Sequence, residues 1–284
     1  MSRAFAQKLA AELGKIGYRY LAAETFAWPI GPKGKIVPLR ANVNSGVYLR
    51  DPVYGGFVNA VLADGWTLVD YEYEHIPTPG ENPQALADAR EQAQARNLVE
   101  RIFAKDKEAK VLIVVGHGHL YRSLPGDKDR PVQMGEYLHR LTGFDMLHIE
   151  QTQFFAHPDR KVETPMYAAL VAQFPSQEPF VLRAADGSHP VLLGQAGRVD
   201  MQVIFPRYAS HDGRPDWLRT LAGRSPRAVP AELLPATGRR LVKALRIDDR
   251  ADAVPTDIVL VEAGKPAPAL MLPAGEFRYA VEDE

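Results

Sequence analysis

Four times in its first 155 residues the chain repeats one order, a stretch with helical spacing and then a short apolar run, with a glycine between them in three of the four. Phe5, Leu9, Leu13 and Ile16 recur at helical intervals, Gly14 and Gly17 punctuate, and "YRYLAAE" (18–24) follows as a strand that ends on an acid. "DPVYGGFVNAVLADG" (51–65) and "WTLVDYEYE" (66–74) repeat the order, with Asp51 as N-cap, Pro52 at the first helical position and Gly65 as the stop. "NPQALADAREQAQARNLVERIFAKDKEA" (82–109) is predicted to be a long helix capped by Asn82, and "KVLIVVG" (110–116) its strand. A fourth pair is "PVQMGEYLHRLTG" (131–143) and "FDMLHIEQTQF" (144–154). Helices alternating with nearly continuous apolar strands predict an α/β fold, a mainly parallel sheet flanked by helices and buried on both faces.

After about residue 160 the texture changes. "TPMYAALVAQF" (164–174) reads as one more helix, and the remainder consists of short β-like runs between Asp-Gly, Ala-Gly and proline-rich turns. The expected division is an α/β core over 1–160 and a smaller β-rich region over 161–284. Residues 25–50 form a long loop rich in glycine, proline and aromatics, expected to act as a lid over the strand ends.

Thirty-four basic and thirty-five acidic side chains leave a net charge of -1, so no overall field favours nucleic acid. With no cysteine, thiolate metal sites and cysteine nucleophiles are excluded. No apolar run approaches the roughly 20 residues of a membrane span. The expected partner is a small-molecule substrate or ligand, with a homodimer an open alternative.

In open α/β sheets, ligands sit beyond the carboxyl ends of the strands. The residues there are Glu24, then Asp70, Glu72 and Glu74, then His117 and His119, then Glu150 and Gln151. Acids, imidazoles and amides converging at one edge are what a metal site or an acid/base pair requires. The glycines of Gly116-His117-Gly118-His119 let the chain turn tightly after a rigid strand, and His119 is the foremost candidate. Arg122 either holds an anionic group or is solvated, Gln151 is read as a hydrogen-bonding residue, and Glu72 and Glu74, two apart, either share a cation or form an exposed acidic edge. Arg90 and Gln94 fall on one helical face, with Glu91 on another. Asp200 lies in an apolar run and needs a partner, such as an arginine of the same β-rich region. No Gly-x-Ser-x-Gly elbow or phosphate-binding glycine loop is present.

Glu24, the helix from Arg90 and the strand-turn "VLIVVGHGHLY" together resemble the erythromycin-esterase-like, ChaN-like and TIKI/TraB superfamily over about residues 4–155. The resemblance implies catalytic roles for His119, Glu24 and Arg90, substrate contacts from His117, Arg122, Gln151 and Glu72, and a divalent metal on His119 and Glu24 or, alternatively, haem. The functions it implies are hydrolysis of an ester or amide bond, with or without a metal, or non-catalytic haem or small-ligand binding, or a degenerate scaffold. For the binding alternative, Tyr48, Tyr54, Tyr71, Tyr73 and Tyr121 are the candidate ligands or stacking partners. The family's first strand, ending in Gly-Glu-x-His, has no counterpart here. As written the chain is expected to be cytoplasmic; were the sequence shortened at its start, it would be periplasmic.

Overall fold

In the computed structural model, residues 1–26, 30–31, 35–36, 40–116, 118–127 and 130–284 are described, the backbone alone for 30–31 and 35–36. His117 and residues 27–29, 32–34 and 37–39 of the expected lid lie outside them.

The first helix, α1 (Ser2–Lys15), leads into β1 (Tyr20–Ala23), and a short hairpin of β2 (Ile30–Gly31) and β3 (Lys35–Ile36) follows. Helix α2 (Pro52–Ala63) starts as expected: the Asp51 carboxylate accepts from the amides of Val53 and Tyr54, and Pro52 occupies the first turn. After β4 (Thr67–Val69), α3 (Pro83–Leu98) is capped by Asn82 and continues through one π-helical turn, Val99–Phe103. Next come β5 (Val111–Val114), α4 (Met134–Thr142) and β6 (Ile149–Phe154).

β4, β1 and β5 form a parallel sheet in that order. Successive strand residues face opposite sides, and here they divide two cores. Leu21 and Ala23 pack with α1 and α2, whereas Ala22 and Val69 pack with α3 and α4. The parallel sheet is small, so the molecule is a mixed helix-and-strand fold in which antiparallel pairs make up most of the remaining sheets. β5 also departs from its sequence, since each of its four apolar residues is only half-buried.

Beyond β6 lie α5 (Pro165–Gln173) and β7 (Met201–Ile204), and β7 pairs in parallel with β6. That ladder joins residues on both sides of position 160. β8 (Ser210–His211) and β9 (Arg214–Pro215) form a hairpin closed by Asp212 and Gly213, both at positive φ. A short α6 (Trp217–Thr220) and β10 (Ser225–Arg227) precede the strands β11 (Arg239–Arg246), β12 (Asp257–Glu262), β13 (Leu270–Leu272) and β14 (Phe277–Asp283). β11 is central to an antiparallel sheet with β12 and β14, and β10 pairs with β13, which gives the β-rich region its own apolar core around Val242, Val259 and Leu270. No helix among the described residues is long and apolar enough to cross a membrane.

Because Asp51 satisfies two otherwise unpaired amides, Asp51→Ala is expected to cost about 1 kcal/mol in urea unfolding. An unchanged midpoint would show that the cap contributes nothing.

Candidate functional site

Four polar side chains at helical spacing on α3, namely Arg90, Gln94, Asn97 and Arg101, fasten the segment that leaves β4. Arg101 donates to the Asp70 carbonyl at 2.9 Å, Asn97 to the carbonyls of Tyr71 and Glu72, and Gln94 to the Glu72 carboxylate at 3.0 Å. Arg90 closes the series with a two-pronged bond to Glu72, from Nε at 2.8 Å and Nη2 at 2.5 Å. This planar fork suits guanidinium and carboxylate. Strand alternation ends with β4 at Val69, so Glu72 and Glu74 do not share a cation: Glu74 is exposed, 3.6 Å from Arg101.

His119 arrives from β5. Gly118 adopts a left-handed φ of 90°, which glycine tolerates without cost, and the turn ends where α4 begins, with the Gly135 amide donating to the His119 carbonyl at 2.8 Å. Gly116 allows a different close approach. Its amide donates to Glu24 Oε2 at 3.0 Å, and a Cβ there would stand 2.8 Å from Glu24 Oε1. Thus the acid ending β1 is held against the backbone ending β5.

The imidazole lies among three charged groups. Glu91 Oε1 is 2.6 Å from Nδ1, Arg90 Nη1 is 3.3 Å from Nε2, and Glu24 Oε2 is 3.9 Å from Nε2. Glu91 Oε1 meets Nδ1 at short range, off the ideal N–H line. The other Glu91 oxygen accepts the Met134 amide at 2.7 Å, in the first turn of α4. That helix has no side-chain cap of its own, and the carboxylate from α3 meets its positive end instead. Glu91 therefore ties α3, α4 and the histidine turn together, although helical spacing alone placed it apart from Arg90. The signal for it in the sequence is faint: the acid adjoins Arg90, but only the long-range packing of α4 brings it to His119.

Arginine has only donors, so a hydrogen bond between Arg90 and Nε2 requires Nε2 as acceptor and the ring proton on Nδ1, beside Glu91. Glu91 raises the His119 pKa above its ordinary value, against the opposing effects of burial and of Arg90, with a smaller contribution from Glu24. For Glu72, burial works to raise the pKa, yet the bonds from Arg90, the Tyr73 amide and Gln94 prevail and hold it low. Glu72 in turn raises Arg90.

Glu24, Glu72, Arg90 and His119 thus come together. Arg122 does not join them. It forms a fork with Asp200 at 3.0 and 2.9 Å and also meets the Met146 carbonyl, so it is the partner that Asp200 required, from outside the β-rich region, and is not free for a substrate. Gln151 stands in the wall of a cavity of about 840 Å3 that Glu24, Gly116 and Gly118 also line. Tyr48, Tyr54 and Tyr121 line the same cavity, whereas Tyr71 is wholly buried with its hydroxyl on the Val114 carbonyl and Tyr73 stacks on His75. The donor set does not suit a metal on His119 and Glu24. The Arg90 guanidinium already provides the cation beside both Glu24 (4.0 Å) and Nε2, and no cluster of three ligating side chains occurs among the described residues.

No known family pattern, curated protein or solved structure matches this chain.

A histidine whose folded pKa is raised above its unfolded value, about 6.5, contributes stability that is complete below that value and is lost as pH rises through the folded one. Glu91→Gln is therefore expected to lower the melting temperature more at about pH 6 than at about pH 9. A deficit that grows with pH would contradict the pairing.

Proposed function

We propose that this site hydrolyses an ester or amide bond of a small molecule, with His119 as general base. One observation carries the reading: the ring proton is directed to Nδ1 by Glu91 and Nε2 is left as an acceptor, only 17% of the side chain being exposed. An imidazole, whose ordinary pKa lies near neutrality, suits proton abstraction from water.

Nε2 and Glu24 Oε2, 3.9 Å apart, leave an apex at which a water at about 2.8 Å from each meets both. As the water oxygen attacks the carbonyl carbon, its proton passes to Nε2, and Glu91 stabilises the imidazolium that forms. Arg90, turned from Nε2 by the incoming substrate but held by Glu72, faces the developing oxyanion. On collapse the bond to the leaving alkoxide or amine breaks, and His119 returns its proton to that group. Each step uses a side chain already aligned by a second one. The likeness to erythromycin-esterase-like proteins points the same way, through His119, Glu24 and Arg90.

His119→Ala is expected to lower kcat/KM for a p-nitrophenyl ester about 100-fold or more, the usual contribution of a positioned base. Rates for the unmodified protein should climb through an inflection above about 6.5 as His119 loses its proton, and Glu91→Gln should move that inflection to lower pH, because the largest raising influence is gone. Unchanged turnover in His119→Ala would overturn the reading.

A further inference from the structure

β5 is apolar at every position yet half-buried throughout; among the described residues it is hydrogen-bonded to β1 along one edge and to no strand along the other. Among the described residues β6 is likewise paired with β7 and no other strand. Phe144, which precedes β6, meets Phe103 on the turn that leads into β5, while Glu150 lies beside Tyr121 past the end of β5, so the two strands run in the same direction. They do not meet. Between them lies the cavity of about 840 Å3, walled by every residue of 111–116 on one side and 146–152 on the other.

Since side chains alternate between faces, a wall built from consecutive residues is the edge of a strand. Apolar side chains line it from both helical layers, Ala6, Leu9 and Leu13 of α1 and Phe103, Met134 and Leu138 of the α3–α4 layer, and charged groups such as Glu24 and Lys107 stand at its ends. Leu9 and Leu13 are themselves only half-buried, which is the state of a helix face whose sheet is incomplete.

We propose that this slot binds an extended segment of another polypeptide, apolar on both faces, which adds as a strand parallel to β5 and β6 and completes the sheet. An extended backbone can answer two facing strand edges at once, and apolar side chains on both its faces would cover α1 and α4 together. Charge sets the polarity of the segment. Glu150 is only 2% exposed, accepts from the Thr152 amide and hydroxyl and from the Gln153 amide, and has no ion-pair partner among the described residues. It lies beside Tyr121, at the end where β5 runs into the histidine turn, with Glu24 at that same end and Lys107 and Lys110 at the other. A parallel strand therefore brings its carboxyl end to the two acids, and a basic residue there is favoured. The proposal does not depend on hydrolysis at His119.

The probe is a synthetic heptapeptide of alternating valine and isoleucine ending in lysine, acetylated, amidated and labelled with fluorescein. Saturable binding by fluorescence anisotropy is expected, with hydrogen exchange slowed at residues 111–116 and 146–152. Glutamate in place of the terminal lysine should weaken binding about tenfold, as for the loss of one favourable charge pair. Methylating alternate backbone nitrogens should abolish binding, because the apolar surface remains but the edge cannot pair. Absence of binding, equal binding of the methylated peptide, or protection elsewhere would overturn the proposal. So would concentration-dependent dimerisation that protects the same amides without peptide, which would assign the slot to a second copy of the chain.

Discussion

One guanidinium organises the upper edge of the small sheet. Arg90 is bonded to Glu72 through two nitrogens, stands 4.0 Å from Glu24 and 3.3 Å from His119 Nε2, and so links the ends of three strands to α3. Its bonds hold the Glu72 carboxylate ionised against the burial that would otherwise favour its protonation. Removing it would leave Glu24 and Glu72 facing each other without compensation, and the imidazole without the donor that directs its lone pair. Its own position depends on the stripe it heads, because Gln94, Asn97 and Arg101 hold the backbone of residues 70–72 against the same helix.

Glu91 completes what Arg90 begins. One of its oxygens meets Nδ1 and the other the first turn of α4, so the acid is stabilised by a helix end while it orients the ring. The two residues adjoin in sequence but act on opposite ring nitrogens. They define one tautomer, leaving the nitrogen nearer Glu24 to accept a proton. Gly116 and Gly118 make this possible, the first by admitting Glu24 to the backbone and the second by taking the left-handed turn.

Local chemistry in this chain was readable from the sequence. Asp51-Pro52 and Asn82-Pro83 mark helix starts because a cap needs only its neighbours, and Glu24 and Gly116 mark strand ends because the apolar run stops there. Long-range pairing was not readable in the same way. Arg122 resembled a substrate arginine until Asp200 reached it from 78 positions away. The acids at 72 and 74 resembled a shared site only while the strand was taken to continue past Val69. The half-buried state of β5 was hidden as well, since an apolar run carries no sign of whether both its edges are paired.

The most direct test is the titration of the His119 ring by nitrogen NMR, with assignment from the His119→Ala variant. With Glu91 at Nδ1 and Arg90 at Nε2, the neutral ring should carry its proton on Nδ1 and should titrate above about 6.5. A neutral ring protonated on Nε2, or a midpoint below that value, would contradict the assignment of His119 as a base oriented by Glu91.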